Sequence, residues 1–387
     1  MPRQPGTRQR IAVVVGTRPE AIKLAPVIAA LSESSWSTPV LVSTGQHRDL
    51  LVGALEVFGL SPDVDLDVYR PGASLDALTA RLLSALGPAL TEIDPTAVVV
   101  QGDTTSTLTG ALAGFHAGLP VAHVEAGLRT GDRTQPFPEE INRRLTSQLA
   151  SLHLAPTAGA AAALAREGIA GPQVLVTGNT VIDALRAAVA RKAPWPAALA
   201  GLDDDPRRVL LVTAHRRESW GRGLDGIGEA LGRLARQRED LLVVFPAHPN
   251  PRIREAVEPH VAGLGNVWLL DPLPYGPFAR LLDRADVVLT DSGGIQEEAP
   301  GLATPVLVMR AVTERPEAVE AGCARLVGTN ADRIVAEVGG LLDDAGAYAA
   351  MARVANPFGD GRAAQRCAEA LAWHLGLGAR PEEFAPV

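Results

Sequence analysis

The feature that most constrains this chain is a recurrence of short β-branched runs. Each run is followed by turn residues and then by an Ala- and Leu-rich stretch of helical period. The first half carries IAVVV, TPVLVST, TAVVVQ, PVAHVE and HLAPT, and the second half RVLLVT, DLLVVFPA, NVWLLD, DVVLTD and PVLVM. A strand that is apolar throughout must be buried on both faces, and strands that alternate with helices build βαβ units around parallel sheets. The expected class is therefore α/β.

The two groups of runs are separated by ALRAAVARKAPWPAALAGLDDDPRR, whose prolines and acidic turn mark a boundary between two doubly wound sheets. Length agrees, because 387 residues at 47% hydrophobic content exceed what one core usually holds. Asp203, Asp204 and Asp205 could be read as a metal-binding cluster, but acids before Pro206 in a polar connector fit a solvated turn better. No CxxC, HExxH or calcium-loop pattern occurs, so no metal is expected. The closing stretch NPFGDGRAAQRCAEALAWHLG holds a break and one amphipathic helix that can return to the first domain. A net charge of -8 argues against nucleic acid or a membrane surface as partner. Cys323 and Cys367 are too few for a disulfide framework and read as core packing in a reducing compartment. The basic start MPRQPGTRQR precedes an apolar run too short for a signal peptide or a span, which points to the cytoplasm.

In open α/β sheets, ligands sit beyond the carboxyl ends of the strands, so residues just after each run are the candidates. After the first run, GTRPEAIKLAP places Gly16 at a turn, Pro19 at a helix start, and Arg18 and Lys23 near that helix's N-terminus. Cations there oppose the helix dipole and call for a compensating anion. Neither GxGxxG nor GxxxxGK is present, so nicotinamide and P-loop chemistry lose support. Asp103 ends TAVVVQGD, with Thr104 and Thr105 available as helix caps. Glu125 ends PVAHVE. A Gly- and Pro-containing loop then leads to a helix opening at Pro138 with Glu139, Glu140, Arg143 and Arg144. Glu139 and Arg143 could simply be an i,i+4 surface pair, or the carboxylates could be tuned for proton transfer. In the second half, His215, Arg216, Arg217 and Glu218 follow a strand directly and suggest an anionic ligand. His248 lies between prolines in another post-strand loop. Glu314 and Arg315 precede Pro316, where Arg315 could bind phosphate or anchor Glu314. In VVLTDSGGIQEEAP, the turn Ser292-Gly293-Gly294 can seat a phosphate, followed at once by Glu297 and Glu298. Together these features describe a metal-free nucleotide-sugar binder with acid/base carboxylates.

The ordered motifs GTRPEAIKLAPVI, GDTTSTL, HVEAGLRTGD, PEEINRRL, TGNTVIDAL, HRRES and LTDSGGIQEEAPGLATPVLVMRAVTERPEAV, from Ile11 to Arg362, resemble those of the non-hydrolysing UDP-N-acetylglucosamine 2-epimerases. The resemblance implies two Rossmann-like doubly wound domains facing a central cleft, as in the glycosyltransferase-B group. The N-terminal domain would cover 9–183 with a returning helix in 363–387, and a UDP-binding domain 184–362. It also implies a homodimer, a UDP-sugar substrate and no cofactor. Carried over by motif, Asp103, Glu125 and Glu139 belong near the sugar and His215 near the departing diphosphate. Arg18, Lys23, Arg143 and Arg315 would balance phosphate charge or orient carboxylates. Ser292, Gly293 and Gly294 would hold phosphate, Glu298 the ribose hydroxyls, and Phe278 would also contact substrate. A carboxylate can be satisfied by two hydroxyl donors, which explains an acid beside a phosphate seat.

Bacterial members of the family often bind a second UDP-N-acetylglucosamine as activator, near a stretch that here reads TGQHRDL. Gln46 is kept, Asp49 stands where those members carry a second glutamine, and Arg70, Arg216 and His248 are further allosteric candidates. The rival activities are a hydrolysing 2-epimerase, a glycosyltransferase-B-type sugar transferase and a catalytically silent sugar-nucleotide sensor, since fold alone does not fix function.

Overall fold

The computed structural model describes residues 8–46, 48–216 and 220–386. The chain divides into two compact units: residues up to Ala187 together with Phe358–Ala385, and Ala188–Pro357.

The first unit is a seven-stranded sheet of β1 (Gln9–Val15), β2 (Ser37–Ser43), β3 (Val64–Asp65), β4 (Ala97–Gln101), β5 (Val121–Val124), β6 (Leu152–Ala155) and β7 (Val174–Val176). All pairings are parallel, in the order β3-β2-β1-β4-β5-β6-β7. The order reverses between β1 and β4, which makes the carboxyl ends of these two strands the natural crevice. The apolar stretch Ile11–Val15 is almost completely buried, as is Ala97–Val100, so each face of the sheet must be covered by helices. Helix Leu75–Ile93 does this on one face, setting Leu78, Leu82, Leu86 and Leu90 against Ala12, Val14, Val98 and Val100. That i, i+4, i+8 stripe is the reason the segment is helical.

The second unit repeats the plan with six parallel strands: β8 (Arg208–Thr213), β9 (Leu241–Pro246), β10 (Val267–Leu270), β11 (Val287–Thr290), β12 (Val306–Val308) and β13 (Ala324–Leu326). Their order is β10-β9-β8-β11-β12-β13, so the reversal falls between β8 and β11. Helix Arg222–Gln237 covers this sheet through Leu224, Ile227, Leu231 and Leu234.

Ten runs were legible as strands, and the described residues form thirteen. The three additions, β3, β7 and β13, are two or three residues long and all lie at sheet edges. An edge strand has one neighbour and needs no continuous apolar run, so Val64-Asp65 and Ala324-Arg325-Leu326 carry little strand signal. The β7 edge is closed by the chain's end: Phe384 N–H donates to Val176 O at 2.7 Å, and Val176 N–H donates to Glu383 Oε2 at 3.0 Å. Helix Ala363–His374 belongs to the first unit, and the Asp183 carboxylate caps it, accepting from Ala363 N at 3.3 Å and Ala364 N at 2.9 Å.

In the acidic turn, Asp203 pairs with Arg280 and Asp205 with Arg207, so these acids are taken by arginines. Both cysteines are buried thiols, and burial pushes Cys323 up to about 11 and Cys367 up to about 12. Among the described residues, no helix is long and apolar enough to cross a membrane.

Candidate active site

In the first unit, chemistry collects at the carboxyl ends of β1, β4 and β5. Thr17 stands at the N-cap of helix Arg18–Glu33, and the Glu20 carboxylate reaches back to the Thr17 backbone N–H, the return half of a capping box. Glu20 is 2% exposed and does more than cap. One carboxylate oxygen accepts from Gly16 N at 2.8 Å and Thr17 N at 2.7 Å, and the other from Thr104 Oγ1 at 2.6 Å and Thr107 Oγ1 at 2.7 Å. The turn after β1 is thereby tied to the turn after β4. Gly16 is required there, because a Cβ would sit 2.1 Å from Ser106 Oγ and 2.6 Å from Thr44 Oγ1.

Asp103 follows β4 and Gly102, with Thr104 as N-cap of helix Thr105–His116. Its backbone is held twice: Asn142 Nδ2 donates to Asp103 O at 2.9 Å, and His123 Nε2 bonds Gly102 O at 2.7 Å. Burial pushes His123 down to about 4, so the ring is neutral, and its Nε2 carries the donated hydrogen. The Asp103 carboxylate accepts from Arg143 Nη2. Burial raises this carboxyl above the usual carboxylate range, Arg143 opposes the rise and the Glu125 charge reinforces it.

Glu125 stands directly after β5 with φ at 62°, in the left-handed region that a residue with a Cβ seldom occupies. Strain of this kind persists only where surrounding contacts over-determine it, and three donors do so here. Oε1 accepts from Lys23 Nζ at 2.5 Å and from Asn179 Nδ2 at 3.2 Å, while Oε2 accepts from Gln101 Nε2. The anion that Lys23 needs is thus supplied within the protein. Arg18 is exposed and, among the described residues, makes no side-chain hydrogen bond or ion pair.

Glu139 opens helix Glu139–Leu149 half-buried, and Arg143 turns away from it toward Asp103 and, at 3.5 Å, Glu140. The i,i+4 alternative is therefore not realised. Glu140 is the fully buried acid of the pair, accepting from Thr130 N at 3.0 Å and Arg144 Nε at 3.1 Å. Gln46, at the end of β2, receives a hydrogen bond from Ser106 Oγ at 2.8 Å, whereas Arg70 is exposed and bonded to Asp67 O and Tyr69 O. His47 and the Asp49 side chain lie outside the described residues.

In the second unit the corresponding crevice lies after β8 and β11. Asp291, fully buried after β11, accepts from Arg216 N at 2.8 Å and His215 N at 2.9 Å, and its Oδ1 lies 2.9 Å from His215 Nδ1. Burial alone would raise its carboxyl, but these hydrogen bonds together hold it below the usual value. The His248 ring stacks on His215 with centroids 6.2 Å apart. Arg217 and Glu218 lie outside the described residues. Ser292 begins helix Gly293–Glu298, and its N–H is held by Thr290 Oγ1 at 2.9 Å. Gly294 is exposed, and Arg216 Nη2 lies 3.9 Å from where a Cβ on Gly293 would be.

The two consecutive acids have different surroundings. Glu297 is buried and bonded to Arg315, which commits that guanidinium to a carboxylate. Glu298 is half-buried near Tyr275, whose phenol is raised by burial and then by the Glu298 charge. Arg315 also donates to the backbone O of Glu314 at 3.0 Å, while the Glu314 carboxylate lies 3.7 Å from Arg216 and 3.6 Å from Arg310. Phe278 is half-buried in helix Tyr275–Arg284.

Sequence reasoning did not single out Glu20, Gln101, Asn179 or Asp291. Two carried a usable signal: Glu20 is three residues after a capping threonine, and Asp291 closes an apolar run just before Ser-Gly-Gly. Gln101 and Asn179 carried a weaker one: Gln101 closes the run TAVVVQ, and Asn179 lies inside the motif TGNTVIDAL.

Residues 29–372 match the family model described as UDP-N-acetylglucosamine 2-epimerase. The chain is 48% identical over 375 residues to the UDP-N-acetylglucosamine 2-epimerase of Escherichia coli K12, covering 94% of this chain and 98% of that protein. It also resembles the UDP-GlcNAc 2-epimerase of Neisseria meningitidis, solved bound to UDP-GlcNAc, at 41% identity and a TM-score of 0.82, covering 94% of this chain and 100% of the other. The S. aureus MnaA structure with UDP matches at 39% identity and a TM-score of 0.85, with 97% and 100% covered. On residues, coverage and fold alike, the chain belongs to the UDP-N-acetylglucosamine 2-epimerase family.

Proposed function

We propose that this protein reversibly epimerises UDP-N-acetylglucosamine to UDP-N-acetylmannosamine at C2, without net hydrolysis. The observation that carries this reading is a pair of carboxylates, Asp103 and Glu125, at the ends of adjacent strands β4 and β5 in unlike surroundings.

The C2 hydrogen of a sugar acetal has no neighbouring carbonyl, so direct deprotonation and return is too slow. Elimination avoids the problem. A base takes the C2 proton, the C2–H electron pair forms the C1–C2 double bond, and the C1–O bond breaks to release UDP. The intermediate is 2-acetamidoglucal. Re-addition of the UDP oxygen at C1, with protonation of C2 from the opposite face, completes the inversion. A carboxyl raised by burial, such as Asp103, is suited to carry a proton between steps. Glu125 and Glu139 are the further acids at the sugar. His215 and the Ser292–Gly294 turn act at the diphosphate, where charge develops as UDP leaves. Arg18 adds positive charge, Lys23 orients Glu125, Arg143 orients Asp103, and Arg315 orients Glu297 beside the ribose-binding Glu298. Homodimerisation and a cytoplasmic setting are part of the same reading.

The test is incubation with UDP-N-acetylglucosamine in D₂O, with C2 followed by NMR. Deuterium at C2 of an intact mixture of both UDP-sugars is the expected result. Free UDP with free N-acetylmannosamine would instead mark a hydrolysing enzyme. Turnover only after an acceptor is added would mark a transferase, and binding without turnover a sensor.

A further inference from the structure

We propose that Asp291 is the positioning residue of His215, fixing the ring so that Nδ1 carries the hydrogen and Nε2 is the nitrogen presented to the ligand.

The geometry leaves the ring few alternatives. Asp291 is fully buried at the end of β11, and three donors converge on its two oxygens: His215 N, Arg216 N and the His215 ring at 2.9 Å. An ionised carboxylate accepts only, so a nitrogen facing it must bring a hydrogen. Nδ1 is therefore the N–H end of the ring, whatever the state of Nε2. The two backbone amides matter as much as the ring contact. They fix the carboxylate against the same residue whose side chain it orients, so ring and backbone of His215 are set by one group. The His248 ring is a stacked neighbour of the His215 ring, with centroids 6.2 Å apart. The His215 side chain keeps 38% of its surface, so the end not held by Asp291 is accessible.

This rests on the proposed role of His215 at the departing diphosphate and deepens it. A neutral ring of this tautomer offers Nε2 as acceptor, and a protonated ring offers Nε2–H as a donor to phosphate oxygen. The opposite tautomer would present a fixed donor and could not pass a proton in both directions of a reversible reaction.

Asparagine is the discriminating replacement. Its oxygen can still accept, but its amide nitrogen only donates, and it must face either a backbone N–H or Nδ1. Facing Nδ1, it stabilises the wrong tautomer, an error that elsewhere costs several orders of magnitude in turnover. For Asp291→Asn we expect kcat lower by ~10²-fold or more, with KM changed less than about threefold. The second readout is the ¹⁵N spectrum of the full chain in mildly alkaline buffer without ligand, with His215 assigned from its loss in His215→Gln. The wild type should show Nδ1–H and a bare Nε2, and Asp291→Asn should lose that pattern. A wild-type ring protonated at Nε2 alone overturns the proposal even if the variant fails to fold. So does a variant that keeps kcat within threefold, or one that loses kcat while retaining Nδ1–H. Because the spectrum is recorded without substrate, it stands apart from the deuterium test: failure of C2 exchange with the expected tautomer condemns the epimerase reading and leaves this one intact.

Discussion

Glu20 offers the sharpest test of how the first unit is held together, because its four donors are of two kinds. Gly16 N–H and Thr17 N–H can only donate, whereas the Thr104 and Thr107 hydroxyls can donate or accept. Glu20→Gln keeps one oxygen for the two amides and turns an NH₂ toward the two hydroxyls. These can adapt by rotation: Thr107 Oγ1 lies 2.7 Å from Gln101 O and can donate there, and Thr104 Oγ1 lies 3.1 Å from Thr107 Oγ1. The loss is then charge assistance alone, on the order of 1 kcal/mol. Glu20→Ala removes the only acceptor described for two buried amides, at ~1–3 kcal/mol each, so about 3–4 kcal/mol together with the lost cap. Because the chain has two units, the assay should be local: hydrogen exchange of peptides spanning Gly16–Lys23 and Gly102–Leu108, beside a urea melt. Protection should fall slightly in Gln and strongly in Ala, in both peptides, since one carboxylate joins the two turns. If the two variants were equally damaged, or if Ala cost under ~0.5 kcal/mol, the donor accounting would be refuted.

Asp103→Asn and Glu125→Gln should each lower kcat by ~10²-fold or more in the C2 exchange assay, as loss of a proton-transfer group does. Glu125→Gln should also destabilise by about 2–3 kcal/mol, because Lys23 cannot become an acceptor and keeps a half-buried charge; a urea melt checks this, and Lys23→Met in the same background should recover part of it. Gly16→Ala should cost ~1–3 kcal/mol, read by thermal melting, since the new methyl would lie 2.1 Å from Ser106 Oγ. For Asp183, burial raises the carboxyl from 3.8 to about 6. A raised folded-state value means its contribution is fully present below the unfolded value near 4 and is lost as pH rises through about 6, on the order of 3 kcal/mol at most. Urea melts at pH ~5 and ~8 should therefore show the parent gaining on Asp183→Asn at the lower pH, and the opposite trend would refute the sign.

What could be read from the sequence follows from what each residue type must bury. The central strands were plain, because a strand covered on both faces has to be apolar throughout: Ile11–Val15 and Ala97–Val100 leave almost nothing exposed. The strand-end rule then located Asp103, Glu125 and His215, since it needs only the end of a run. It does not say which ends meet. Glu20 and Thr104 are 84 residues apart and Glu125 and Asn179 are 54 apart; the first pair meets because the sheet order puts β1 beside β4, and the second joins the ends of β5 and β7, which flank β6. The left-handed backbone at Glu125 was hidden for a related reason: glycine normally marks such a position, and here three long-range donors hold it instead. The neighbouring acids Glu297 and Glu298 show the same limit within a single turn. Helical geometry sends consecutive side chains to faces about 100° apart, so one acid is buried against Arg315 while the other stays half-open. Residue type and strand position thus mark where charge gathers, but how far a carboxylate is committed within the protein depends on which donors the fold brings to it. Glu20 has four, and Asp291 and Glu125 three each, whereas Asp103 has one side-chain donor and keeps a quarter of its surface, which leaves it the capacity to accept from a ligand.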